Sequence, residues 1–176
     1  MAQVSFLKNY NYYPVETYSM AGNSFYLYPF NIWESISLLT INFPMEQTAA
    51  ATGSHTVSLG LYQMNNSTLT LLNSGSSSFA HTTSDNFWVS ITSFSSQSSL
   101  ITPGSYWFGL LISTSSQNSL AWVGNNVINA GNAWPGGFYA GRMTTSTNAV
   151  PGSIATSDLD ITGNDGIFSQ VIIISG

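Results

Sequence analysis

The sequence predicts an all-β chain: an antiparallel β-sandwich, jelly-roll-like, behind an irregular N-terminal arm. Three observations predict it. Apolar and polar residues alternate with a period of two through eight or nine short segments, Ser/Asn/Gly clusters interrupt them every 8–14 residues, and no segment sustains a period of 3.6. Short strands at that spacing are the pattern of a sandwich or jelly roll. The 176 residues fit one domain, divided here into a docking arm over residues 1–20 and a β-sandwich over residues 21–176.

The elements follow in order. Residues 24–30 (SFYLYPF) alternate and are rich in aromatics, and Pro29 puts the end of that strand at a sheet edge or exit. In residues 35–43 (SISLLTINF), Leu39, Ile41 and Phe43 fall on one face and Ile36 and Leu38 on the other. In residues 55–64, Val57, Leu59 and Leu61 alternate with Thr56, Ser58 and Gly60, as in a half-buried strand. Asn65-Asn66 tolerates positive φ, so residues 56–73 are expected to form a hairpin. Further strands are expected at 87–94, 105–113, 119–123, 138–143 and 170–175, with Pro103-Gly104 at the centre of a type II turn. The clusters at 73–78 (NSGSSS), 95–99 and 113–119 are expected as loops, and residues 45–52 as one helical turn or a loop. The final QVIIIS is apolar on both faces, which calls for a central strand or for cover by another chain.

Composition narrows the function. The chain is 43% hydrophobic and 14% aromatic, enough to build a core, yet only 5% of it is charged. An ordinary domain carries about 25% charged residues. Here 29 Ser and 17 Thr supply the polar surface instead. Lys8 and Arg142 are the only basic residues, against a net charge of -5, so the chain lacks the basic footprint that nucleic acid or an anionic membrane requires. No apolar run is long enough for a membrane-spanning helix. Without Cys there is no disulfide framework, thiolate metal site or thiol nucleophile. Residues 1–20 lack the basic and apolar regions of a secretory signal, so none is expected there.

Candidate catalytic groups are few. His81, Asp85 and any of the serines could supply a triad, but no G-x-S-x-G turn presents a nucleophile, and HTTSD reads as a solvated turn. His55 has no second His at ligand spacing. Glu34, Glu46, Asp85 and Asp160 are the acids from which a hydrolytic carboxylate pair would have to be drawn, though nothing in the sequence pairs them. Residues 157–166 (SDLDITGNDG) hold the only local acid cluster. Asp158, Asp160 and Asp165 are weak cation candidates, because Thr162 interrupts the EF-hand order and an Asx-turn loop explains the stretch. No cofactor and no enzymatic activity are expected.

The aromatics are more informative. Trp88 and Trp107 fall opposite the more apolar faces of their strands, which sets a ring of each near a surface. The Gly- and Pro-containing loop at 132–141 presents Trp134, Phe138 and Tyr139, a candidate glycan contact. The segment around FLKNYNYYPVETY offers Phe6, Tyr10, Tyr12, Tyr13 and Tyr18 as anchors against a neighbouring subunit. Both chain ends thus point to assembly.

The succession SFYLYPFNIWESISLLTINF, GSHTVSLGLYQMNNSTLTLLNSGS, LITPGSYWFGLLIS and VPGSIATSDLD resembles β-sandwich modules of tailed-phage virion proteins, over about residues 24–176. Such modules occur in tail fibres, head fibres and capsid-decorating subunits. The resemblance implies a non-enzymatic structural part, commonly trimeric, at the virion surface and assembled in the host cytoplasm. Its partners would be other capsid or tail proteins. It transfers no catalytic residues. Only about 20 residues precede the first strand, which favours a small standalone decoration or head-fibre subunit with residues 1–20 as its docking arm. The alternative is a receptor- or glycan-binding module that contacts host surface glycans.

Overall fold

The computed structural model describes residues 2–6, 15–19, 24–47, 54–95, 100–114, 120–125, 141–144, 149–159, 167–168 and 171–175. The strands are β1 (Ala2–Phe6), β2 (Val15–Ser19), β3 (Ser24–Ile32), β4 (Ile36–Gln47), β5 (His55–Asn65), β6 (Thr68–Phe79) and β7 (Asn86–Ile91). They continue as β8 (Leu100–Ile101), β9 (Gly104–Thr114), β10 (Leu120–Asn125), β11 (Gly141–Thr144), β12 (Ser153–Ala155), β13 (Ile167–Phe168) and β14 (Val171–Ser175). A first sheet runs β1-β14-β4-β10-β13, with β7 and β8 also paired to β4 and β2 paired to β10; the second runs β11-β3-β9-β5-β6-β12. The pairings are antiparallel.

The core lies between the sheets and follows from the alternation. Ile41, Phe43 and Met45 of β4, with Val89 and Ile91 of β7, face Tyr26 and Tyr28 of β3, Val57, Leu59 and Leu61 of β5, and Phe108 and Leu110 of β9. Ile36 joins this same cluster, not the opposite face from Ile41. The pairing explains why: β14 meets β4 with a register shift between Ile174 and Ser175, opposite Thr40 and Leu38, and one extra residue inverts the alternation.

The hairpin is longer than its sequence signal. β5 and β6 pair from Asn65↔Thr68 to His55↔Phe79, and Asn66 at the turn has φ 56. NSGSSS is therefore strand, not loop: Ser74, Ser76, Ser77 and Ser78 continue the ladder opposite Gly60, Ser58, Val57 and Thr56. The Thr56 and Ser78 hydroxyls lie 2.8 Å apart across it. Met45–Gln47 likewise extend β4, and Ser113–Thr114 extend β9.

Pro103-Gly104 is not a type II turn either. Gly104 is extended and opens β9 opposite Ile32, and the Tyr106 hydroxyl reaches back to the Thr102 carbonyl at 2.7 Å to hold the approach. Pro29 pairs with Trp107 beyond the end of β11, where no strand among the described residues pairs with the other side of β3. The segment expected as an irregular arm contributes β1, paired with β14, and β2, paired with β10. The apolar β14 lies between β1 and β4, the central position that was one of the two its sequence allowed.

A second apolar cluster forms on the outer face of the second sheet. Phe25, Leu27, Tyr62, Leu69, Trp107 and Leu111 gather under Ile154, with Val150 and Leu159 at its margin. Trp107 is consequently buried, contrary to its expected place near a surface, because residues 149–159 strap over this face. The strap is tied down by Leu71 N–H to Gly152 O at 3.0 Å, Thr156 N–H to Ser67 O at 2.9 Å and Tyr62 Oη–H to Pro151 O at 2.7 Å. Gly60 and Gly109, paired across β5 and β9, leave room beneath it for the rings of Tyr62 and Phe25.

Candidate functional site

A concavity opens where the two sheets meet along one corner. Gly75 of β6 bridges to Phe94, just past β7, and Ser95 N–H donates to Ser74 O at 2.8 Å. The Asn73 carboxamide oxygen accepts from Ser74 N–H and from Ser95 Oγ, both at 2.9 Å, which locks the corner. Gly75 permits the close approach, since a Cβ there would meet Ile91 Cγ2 at 2.7 Å and collide with the Ser93 carbonyl. The resulting open groove of about 470 Å³ is lined by Ser58, Ser76, Ser93 and Phe94, and by Ala149 and Val150 of the strap. Ser58 and Ser76 stand directly opposite each other across the β5–β6 ladder. No charged side chain lines this groove.

A second polar constellation lies in the turn before β7. His81 Nε2 lies 2.5 Å from Asp85 Oδ1 and 3.2 Å from Thr83 Oγ1, while the ring stacks on Phe87 at 4.0 Å. A triad needs its carboxylate and nucleophile on opposite ring nitrogens. Here the acid and the hydroxyl address the same one, so the arrangement is a braced turn. From Phe87 the packing continues through Phe79 to His55, with ring centroids 5.4 and 5.7 Å apart. His55 is fully buried, neither ring nitrogen has a hydrogen-bond partner among the described residues, and its pKa is lowered by burial and then by the His81 charge.

The other predicted residues divide as follows. Phe6 pairs with Val171 and Tyr18 with Trp122, both within the first sheet. Tyr10, Tyr12, Tyr13, Trp134, Phe138, Tyr139, Asp160 and Asp165 lie outside the described residues. Asp158 closes a short 3-10 turn at Thr156–Asp158 and is exposed. Among the described residues no group of three or more acids and histidines is placed to hold a metal ion. Glu34 is exposed in the bend before β4, and Glu46 stands opposite Asn86, next in the chain to Asp85.

Four large apolar side chains are exposed among the described residues, Leu72 of β6 being the least so. Trp88 of β7 is 52% exposed, as expected, Leu100 of β8 is 62% exposed, and Trp33, just after β3, is 79% exposed. Leu100 pairs with Ser37 and Trp88 with Pro44, so both stand on strands that pair with β4. Leu100 had no sequence signal, since it ends a run of serines. The serine groove was hidden because NSGSSS reads as a turn until its pairing with β5 is known.

No protein-family model matches the chain, and no curated protein does.

Proposed function

We propose that the chain is a structural surface subunit of a tailed-phage virion, a decoration or head-fibre subunit, that acts by assembly and not by catalysis. The observation that carries this reading is the exposure of three large apolar side chains, Trp33, Trp88 and Leu100, on a chain with only 5% charged residues. Large exposed apolar groups are costly to leave in water, and Trp is enriched where protein surfaces meet. Low charge lets neighbouring copies lie close without mutual repulsion. A surface with 29 Ser and 17 Thr in the chain and few charges suits a subunit that packs among neighbours. The favoured assembly is a homotrimer, with other capsid or tail proteins as further partners. The test is to band particles from a lysate of the producing cells on a density gradient and quantify the chain by mass spectrometry. It should co-band with the major capsid protein in a fixed ratio of copies; recovery only in the particle-free fractions would refute the reading.

A further inference from the structure

The end of the sandwich beside the turn before β7 holds a buried base. His55 opens β5, pairs with Phe79 of β6 and Thr114 of β9, and is fully buried. Neither of its ring nitrogens has a hydrogen-bond partner among the described residues. Buried polar atoms are normally paired, so two orphaned nitrogens on one ring call for a reason. A neutral imidazole is tolerated in such a place, whereas an imidazolium brings two N–H donors and a charge that nothing there solvates.

A stack of rings links this base to the surface. His55 packs on Phe79, Phe79 packs edge-on against Phe87, and Phe87 stacks on His81, which is partly exposed and hydrogen-bonded to Asp85. Two imidazoles thus bracket two phenyl rings. Burial, and then the charge on His81, hold the His55 pKa below its ordinary value. Groups that could compensate a charge on His55 are few. β6 carries no titratable side chain, and β9 carries only Tyr106, near its other end and bonded to the Thr102 carbonyl. The turn before β7 offers Asp85, already engaged with His81, and β4 offers Glu46, opposite Asn86. Residues 48–54 and 115–119, which flank His55 and Thr114 in the chain, contain no ionisable side chain.

The position of His55 makes its release local. The pair His55↔Phe79 is the last rung of the β5–β6 ladder, so the ring can reach water when that end parts and the centre of the sheet stays closed. We propose that the His55–Phe79–Phe87–His81 stack is a pH-sensitive latch: near neutral pH it holds the end of the β5–β6 hairpin against the turn before β7, and in mild acid His55 takes up a proton, leaves the core and lets that end open. The open form, with His55 in water, binds the proton more readily than the closed one. Opening therefore increases as the pH falls below about 6.5, by at most about tenfold per pH unit. The latch does not depend on the assembly role of Trp33, Trp88 and Leu100, so either can fail without the other.

The test is amide hydrogen exchange of the ¹⁵N-labelled full chain near pH 8 and near pH 5, the span over which imidazole changes charge, with each rate divided by the intrinsic rate at that pH to give an opening constant. The amides of residues 55–57 and 77–79 should open about tenfold more at the lower pH. They should also open more than those of Leu61 and Phe108, which pair at the centre of the sheet. The His55 ring nitrogens should pass from the neutral to the protonated shift pattern over the same range, and His55→Leu should lose the pH-dependent rise. If that variant does not fold, the ring shifts of the parent chain decide. The proposal is overturned if the end amides open only together with Leu61 and Phe108, if their opening does not change with pH, if His55 stays neutral at the lower pH, or if His55→Leu keeps the parent's pH dependence.

Discussion

Gly109→Ala is the sharpest probe of the second apolar cluster. Gly109 lies in the middle of β9, between Leu27 of β3 and Gly60 of β5, so its backbone is held from both sides. A Cβ at this position would fall within the ring of Phe25. The ring cannot swing clear, because it packs edge-on against Tyr62 at 5.8 Å and is itself fully buried. Overpacking of a closed site costs about 1–3 kcal/mol, and this overlap belongs at the upper end. Replacing Gly by Ala in a strand returns about 0.5–1 kcal/mol of backbone entropy. The expected net loss is therefore about 2 kcal/mol, or about 4–8 °C in Tm for a chain of this size. Phe25→Leu alone should cost about 1 kcal/mol, yet it vacates the space that the new methyl needs. The double variant should consequently be more stable than the sum of the single losses by about 1–2 kcal/mol. Urea denaturation followed by tryptophan fluorescence reads all four chains. A Gly109→Ala change below about 0.5 kcal/mol, or strictly additive losses, would refute the packing of Phe25 over Gly109.

Three further outcomes follow from the same contacts. Tyr62→Phe removes the bond to Pro151 and should cost about 1 kcal/mol while making residues 149–159 easier to cleave by protease in a time course. Lowered in the fold, the His55 pKa makes the unfolded chain bind the extra proton, so stability should fall as pH drops below 6.5, by at most about 1.4 kcal/mol per pH unit; His55→Leu should flatten that limb of the denaturation profile. Deleting residues 1–20 removes β1 from β14 and β2 from β10, and should lower the midpoint of urea unfolding; an unchanged midpoint would show that neither pairing contributes to stability.

The sequence made much of the fold legible where a local signal coincided with the tertiary answer. Asn65-Asn66 marked the hairpin because the turn needs positive φ, and the isoleucine run of β14 called for a central strand or for cover by another chain, of which the fold takes the first. It misled where pairing overrode propensity. Gly75 and its serines are poor strand formers, but β5 on one side and the Phe94 bridge on the other hold them extended. The face assignment of Ile36 failed through a single register shift, which period-two reading cannot see. The burial of Trp107 was hidden because its cover comes from a strap more than forty residues later, anchored by a strand of three residues. The groove was hidden for the same reason: residues 58, 74–76, 93–95 and 149–150 meet only after the sheets close. The exposed apolar side chains were half legible, with Trp88 readable from strand parity and Leu100 not.

The central claim is that the exposed Trp33, Trp88 and Leu100 take part in assembly. The most direct measurement is the solution mass of the purified chain by light scattering, beside a variant with all three residues changed to Ser. The account predicts a stable species of three times the 18.9 kDa chain mass, and a folded monomer for the variant. A parent chain that is monomeric at every concentration, or a variant that keeps the parent's mass, would contradict it.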